Sequence, residues 1–201
     1  MENAARTAAY HALMAERTDD VSRRLAAIFS GHESRRFVWE LGCGHGHFLN
    51  AYAAAHPEKV CVGIDIVGER IKRALRKRDR AGLQNLHFIH AEARLFLGVL
   101  PRHVSIEQLF ILFPDPWPKK RHHKHRIIQP SFLEAVAARC APSARVHFRT
   151  DYQPYFEDAR AVFVEHPRWE IADEPWPFEQ ETVFQARAES YYSLTARPVR
   201  A

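Results

Sequence analysis

The sequence predicts an α/β fold on a doubly wound, mostly parallel sheet, and three observations predict it. Short apolar stretches alternate with helical ones along nearly the whole 201-residue chain. The stretch EQLFILF (107–113) is apolar almost without interruption, as suits a strand covered on both faces. Three of the eight glycines, Gly42, Gly44 and Gly46, fall within five residues where an apolar stretch gives way to a helical one. The length suits one domain with a real core. A single domain over 1–201 is therefore expected, with 1–35 as a helical N-terminal extension.

Each element has its own warrant. Over 8–29, Leu13, Val21, Leu25, Ile28 and Phe29 recur at mostly helical spacing, and Gly31 follows as a stop. FVWEL (37–41) reads as the first strand, with a helix over about 46–56. VCVGI (60–64) is the second, and the helix over 67–81 ends at Gly82. LHFIH (86–90) is the third, followed by a short helix at 93–99. After the fourth strand at 107–113 comes a helix at 130–140, then RVHFRT (145–150) as the fifth strand and a helix at 154–165. WEIAD (169–173) and YYSLTAR (191–197) read as the last strands. The Pro-rich DEPWPFEQE (173–181) reads as a surface loop and not a domain boundary.

Composition narrows the class. Hydrophobic content of 46% and charged content of 26% are globular values. A formal charge of +5 favours a polyanionic partner without proving one. Cys43, Cys61 and Cys140 are scattered and odd in number, with no CxxC pair. That argues against a disulfide framework or structural zinc, and for a reducing, cytoplasmic setting. No apolar run approaches the roughly 18 residues of a membrane span, and the N-terminus lacks the apolar core of a signal peptide.

Two stretches carry chemistry. In ELGCGHGHFL the glycines follow Glu40 as E-x-G-x-G-x-G, and a dinucleotide fingerprint would need glycine where His47 stands. A glycine turn between strand and helix lets a ligand approach the backbone and meet helix N–H groups. Asp65 ends the second strand, 21 residues after Gly44, where a carboxylate can accept hydrogen bonds from both ribose hydroxyls of an adenosine. Glu92 follows the third strand; it also suits a helix cap, as Asp65 does. The second stretch is FPDPWPKKRHHKHR (113–126). Pro114, Pro116 and Pro118 stiffen a turn that holds Asp115 beside Trp117. Lys119, Lys120, Arg121, Lys124 and Arg126, with three histidines among them, form either a solvated face or a footprint for a phosphate backbone. The strip histidines lack carboxylate or Cys partners at ligand spacing, and His45 and His47 read as spacing in the glycine loop, so no metal site is expected.

ELGCGHG, GID, FPDPWPKKRHHKHR, RTDYQPYFE and the tail ETVFQAR together resemble the bacterial tRNA (guanine-N7)-methyltransferase family, over about residues 37–197. The resemblance implies a class I, Rossmann-like methyltransferase fold. It also implies S-adenosylmethionine as methyl donor and a guanine in the variable loop of tRNA as substrate. Carried over by motif, the donor site is Glu40, Gly42, Gly44, Gly46, Asp65, Glu92 and Asp115. The substrate side is Lys119, Asp151 and the segment from Thr182 to Gln185, and Asp115 is also the catalytic residue. Tyr152 and Trp117 are candidates either for stacking on the base or for the core. Four residues depart from the family's pattern. Asp65 and Glu92 occupy places where the family commonly has Glu and Asp, and the tail TVFQARA has Gln185 for Glu and Ala188 for Gly. A methyltransferase of small molecules and a non-catalytic RNA-binding relative remain open alternatives, the first without need of the basic strip.

Overall fold

The computed structural model describes residues 2–30, 35–180, 185 and 188–199. Helix α1 (Glu2–Ser30) leads into β1 (Arg36–Leu41), α2 (His47–Ala55), β2 (Val60–Asp65) and α3 (Gly68–Ala81). β3 (Leu86–His90), α4 (Ala93–Val99) and β4 (Ser105–Leu112) follow. The chain closes with α5 (Pro130–Ala137), β5 (Cys140–Thr150), α6 (Gln153–Glu165), β6 (Trp169–Ala172) and β7 (Tyr192–Pro198). The seven strands form one sheet in the order β3-β2-β1-β4-β5-β7-β6. β1 to β5 pair in parallel, while β7 runs antiparallel to both β5 and β6.

The expected elements are all present, with shifted edges in places. β5 starts at Cys140 and not at 145, and α5 stops at Ala137. The extra residues are recruited by β4: Ile106 pairs with Cys140, and its N–H donates to the Arg139 carbonyl at 2.8 Å. A 3-10 helix at Lys120–His125, inside the basic strip, was not expected.

The sheet buries two cores. One face packs Val21, Leu25 and Phe29 of α1 with Phe96 of α4, Phe132 and Leu133 of α5 and Tyr155 and Phe163 of α6. The C-terminal half of α1 is thus part of the fold and not an appendage. The other face has α2 and α3 alone over β1 to β3. There the Pro-rich segment corrects its reading as plain surface loop. Trp176 and Phe178 turn inward, Phe178 against Phe48 and Tyr52 and Trp176 against Phe110 and His147. With no third helix on that face among the described residues, two aromatics on an irregular backbone close it. His147 lies in this layer between Gln108 Oε1 (2.6 Å) and Thr195 Oγ1 (3.0 Å), and burial lowers its pKa to about 3.

Candidate active site

The carboxyl ends of the five parallel strands form one edge, and each carries or leads into an acid. In sheet order these are Glu92 after β3, Asp65 ending β2, Glu40 near the end of β1, Asp115 after β4 and Asp151 after β5. Ligands of open parallel sheets bind at this edge, where the strand order reverses. Here β1 is followed outward by β2 on one side and β4 on the other.

The loop after β1 is pinned to β2. The N–H groups of Gly42 and Cys43 both donate to the Ile64 carbonyl at 2.9 Å. All three loop glycines have positive φ, 74°, 53° and 70°, a region that L side chains rarely enter. They divide the work. A Cβ on Gly42 or Gly44 would meet nothing within 4 Å, so these two leave open backbone for a ligand. A Cβ on Gly46 would lie 2.6 Å from the Phe88 ring, so Gly46 is there to let α2 pack.

Asp65 is 4% exposed and already ordered. Its Oδ2 accepts from Gly44 N (3.0 Å) and its Oδ1 from Val67 N (2.8 Å), while the Arg70 guanidinium lies at 3.6 Å. A carboxylate has about four acceptor positions, so the two backbone donors fix the side chain and still leave acceptors for hydroxyls. Glu40 is also 4% exposed. Burial, opposed by a backbone hydrogen bond from Leu49 and reinforced by Asp65, pushes its carboxyl up to about 8. Its Oε2 has no hydrogen-bond partner among the described residues. Open backbone at two glycines and an unsatisfied buried carboxyl beside them are what a polar, close-fitting cofactor would complete. Cys43, within the loop, is pushed well above its usual range by burial and then by Glu40 and Asp65, so its thiol is no nucleophile.

Glu92 takes the cap role. Its Oε2 accepts from Arg94 N and Leu95 N, both at 3.0 Å. Beside Asp65 stands a residue the sequence reading missed. Ile66 is 69% exposed, an apolar side chain at the mouth of a polar loop, with its carbonyl held by His90 Nε2 at 2.9 Å. Its signal was available: two β-branched residues directly after a strand-ending acid, where a polar turn is the norm.

The loop after β4 is built differently. Phe113 and Trp117 have φ of 49° and 44°, a costly conformation for bulky residues. Asp115 between them is exposed and accepts no hydrogen bond among the described residues. Trp117 is exposed, with the rings of His122 and His125 at 5.8 Å and 5.1 Å. The reading of Arg126 as a phosphate contact is corrected. Its side chain is buried, Nε donates to the Pro116 carbonyl (2.8 Å), Nη1 to Asp158, and the guanidinium lies 4.7 Å over the Tyr155 ring. The 3-10 turn carries the chain back, so the last cation of the strip points inward and holds the strained turn. Lys119, Lys120, Arg121 and Lys124 remain exposed.

Asp151 is exposed, and Tyr152 is half-buried against the core. Gln185 sits in a cluster around Arg149. The buried guanidinium of Arg149 lies between the rings of Trp176 (3.9 Å) and Tyr191 (4.5 Å) and donates to both oxygens of Glu179 at 3.0 Å. It also donates to Gln185 Oε1 at 3.3 Å, and Gln185 Nε2 donates to the Tyr191 hydroxyl at 3.3 Å. Thr182 lies outside the described residues. Among the described residues no group of three or more His, Cys, Asp or Glu is arranged to hold a metal ion, and no helix is long and apolar enough to cross a membrane.

This strand order, with the antiparallel β7 and the glycine loop at the reversal, defines a class I methyltransferase fold. Solved structures agree on the fold. The 16S rRNA methyltransferase KamB has a TM-score of 0.61 at 21% identity over 82% of this chain and 88% of its own. The antibiotic-resistance methyltransferase Kmr has 0.57 at 22% over 89% and 93%. A family model described as "putative methyltransferase" matches residues 34–194. Among curated relatives, the tRNA (guanine-N(7)-)-methyltransferase of Hyphomonas neptunium is 33% identical over 93% of this chain and 89% of its own length. Those of Nitrosococcus oceani and Streptomyces coelicolor are 39% and 38% identical over 71% and 73% of this chain. The chain spans 59% and 53% of the length of those two relatives. The chain belongs to the tRNA (guanine-N(7)-)-methyltransferase family.

Proposed function

We propose that this chain transfers a methyl group from S-adenosylmethionine to N7 of a guanine in tRNA, in the variable loop, as a single-domain cytoplasmic enzyme. The observation that carries the reading is Asp115: an exposed carboxylate on a strained turn, at the same sheet edge as the glycine loop and directly ahead of exposed cations. The names of the curated relatives support the substrate.

Glu40, Gly42, Gly44, Asp65 and Glu92 would hold the donor, with Gly46 letting α2 pack close behind the loop, Ile66 as an apolar flank and Asp115 bordering it. The donor supplies an electrophilic methyl: as the N7 lone pair forms the new N–C bond, the S–C electron pair returns to sulfur. N7 has its lone pair free, so no general base is required. The side chains have two other tasks. One is orientation, worth up to roughly 7–11 kcal/mol for ideally placed groups. The other is stabilising the positive charge that develops on the ring, for which a fixed carboxylate is suited. Asp115 and Asp151 can accept from the N–H edge of the base and oppose that charge. Lys119 can anchor a phosphate or the guanine O6, and Thr182 and Gln185 would belong to the substrate side, Gln185 through its hydrogen bond with Arg149 and not by contact with the base. Trp117, exposed on the turn, is a stacking surface worth about 1–3 kcal/mol.

The test is incubation with methyl-labelled donor and unmodified tRNA, then nucleoside analysis. Labelled 7-methylguanosine is the expected product. Label in another base, or in small molecules only, would contradict the reading, and tRNA binding without label would mark a non-catalytic relative.

A further inference from the structure

The basic strip is not the only concentration of positive charge in this chain. Helix α3, GERIKRALRKRDRA, holds seven of the 29 Lys and Arg and only two of the 24 Asp and Glu. The rest of the chain is left with 22 of each sign, so these fourteen residues carry a net charge as large as that of the strip.

Both acids of the helix are already engaged: Glu69 with Lys72 and Asp79 with Arg78, each at 2.6 Å. Arg70 leans on Asp65, and Lys77 meets His47. Arg73, Arg76 and Arg80 are exposed and make no ion pair or hydrogen bond among the described residues. They are three and four positions apart, which puts them in one stripe on the face opposite the buried Ile71 and Ala74. Like charges at that spacing repel, and Arg70 in the first turn opposes the helix dipole. The field of α3 reaches the glycine loop: burial first, and then Arg73, Lys77 and Arg70, lower the pKa of His45, and burial and Lys77 lower that of His47.

The chemistry of the face selects its partner. A protein-docking site would carry aromatic anchors and a membrane-bound helix an apolar stripe; the outward face of α3 is charged throughout. Regularly spaced exposed guanidiniums that make no close ion pair among the described residues suit a row of phosphates. The sheet order adds geometry. α3 follows β2, the strip follows β4, and the glycine loop of β1 lies between them.

We propose that the outward face of α3, through Arg73, Arg76 and Arg80, is a second phosphate-backbone contact for the substrate tRNA, so that the RNA is held on both flanks of the donor loop. This rests on the tRNA reading above. The experiment compares wild type with three variants: Arg73→Gln/Arg76→Gln/Arg80→Gln, the same three changed to Lys, and Lys120→Ala/Lys124→Ala in the strip. Binding of an unmodified tRNA transcript is followed against salt, with donor affinity and kcat at saturating tRNA measured alongside. The triple-Gln protein, relieved of repulsion, should melt no lower than wild type and keep its donor affinity and kcat. Its log–log salt slope should flatten by about 2 to 2.7, at roughly 0.7–0.9 for each of three lost contacts, and the triple-Lys protein should retain the slope. An unchanged slope in the triple-Gln protein, with a flattened one in the strip variant, overturns the α3 contact and leaves the tRNA reading intact. A wild-type protein that neither methylates tRNA nor binds it salt-dependently overturns both.

Discussion

The loops that follow β1 and β4 meet at one edge of the sheet, and they are built in opposite ways. The first is satisfied in advance: glycines adopt the positive φ angles, the Ile64 carbonyl pins the backbone, and Asp65 is buried with both oxygens engaged. In the second, Phe113 and Trp117 carry the positive φ, and the acid between them is exposed and unbonded among the described residues. The structure holds that strained turn from behind, through Arg126 on the Pro116 carbonyl, Asp158 and the Tyr155 ring. The contrast fits a site in which the donor pocket exists before binding and the base-facing carboxylate waits for its partner.

The comparison breaks first at Arg126. If this residue braces the turn, Arg126→Ala should cost about 3 kcal/mol of stability, because it deletes a buried hydrogen-bonded cation. The salt slope of tRNA binding should stay unchanged, since Arg126 meets no solvent. Denaturant unfolding alongside the salt titration checks this, and a flattened slope in a stable protein would return Arg126 to the strip.

Glu40 sharpens the other side. Its carboxyl is near 4.5 when unfolded and is raised to about 8 in the fold, so the folded protein holds a proton that the unfolded chain has lost. Its contribution is complete below pH 4.5 and disappears as pH rises towards about 8. The slope in between is about 1.4 kcal/mol per pH unit. Melting curves of donor-free wild type should fall relative to Glu40→Gln by a few degrees per unit between pH 6 and 8. Parallel curves would mean that Glu40 is solvated.

Asp65→Ala removes the acceptor for Gly44 N and the anchor of the loop, and should weaken donor binding at least tenfold, about 1.4 kcal/mol. Gly44→Val should do the same through its φ of 53°. Calorimetry with unchanged donor affinity in both folded variants would remove this loop from the donor site.

The smallest effect is expected at Gln185. A carboxylate there could accept from both N–H donors of a guanine edge, where an amide offers one oxygen. But the Gln185 oxygen faces the buried Arg149, which would absorb the new charge. Gln185→Glu should therefore change kcat/KM for tRNA by no more than about threefold, ~0.6 kcal/mol. A tenfold rise would place the side chain against the base.

The sequence showed the acids at the strand ends well, because each strand is short, apolar and followed at once by its motif. It hid what depends on the path of the chain afterwards. Arg126 reads as one more cation in a solvated run until the 3-10 turn at Lys120–His125 swings it inside. Trp176 and Phe178 read as residues of a Pro-rich loop, because nothing local says that one face of the sheet has only α2 and α3 among the described residues. Glu92 was open between ligand and cap; a cap made by Oε2 alone is compatible with the donor role proposed above. The charge of α3 lay in plain view, but the apolar period that defines the helix draws attention to its inner face.

The central claim is that the first loop binds and the second loop acts, and Asp115→Asn tests it most directly. The change keeps the shape of the side chain and removes only its charge. Single-turnover methyl transfer to tRNA should fall by about 100-fold or more, while donor affinity by calorimetry and tRNA affinity stay within about threefold of wild type. Transfer at the wild-type rate, or a loss traced wholly to donor binding, would contradict the division between the two loops.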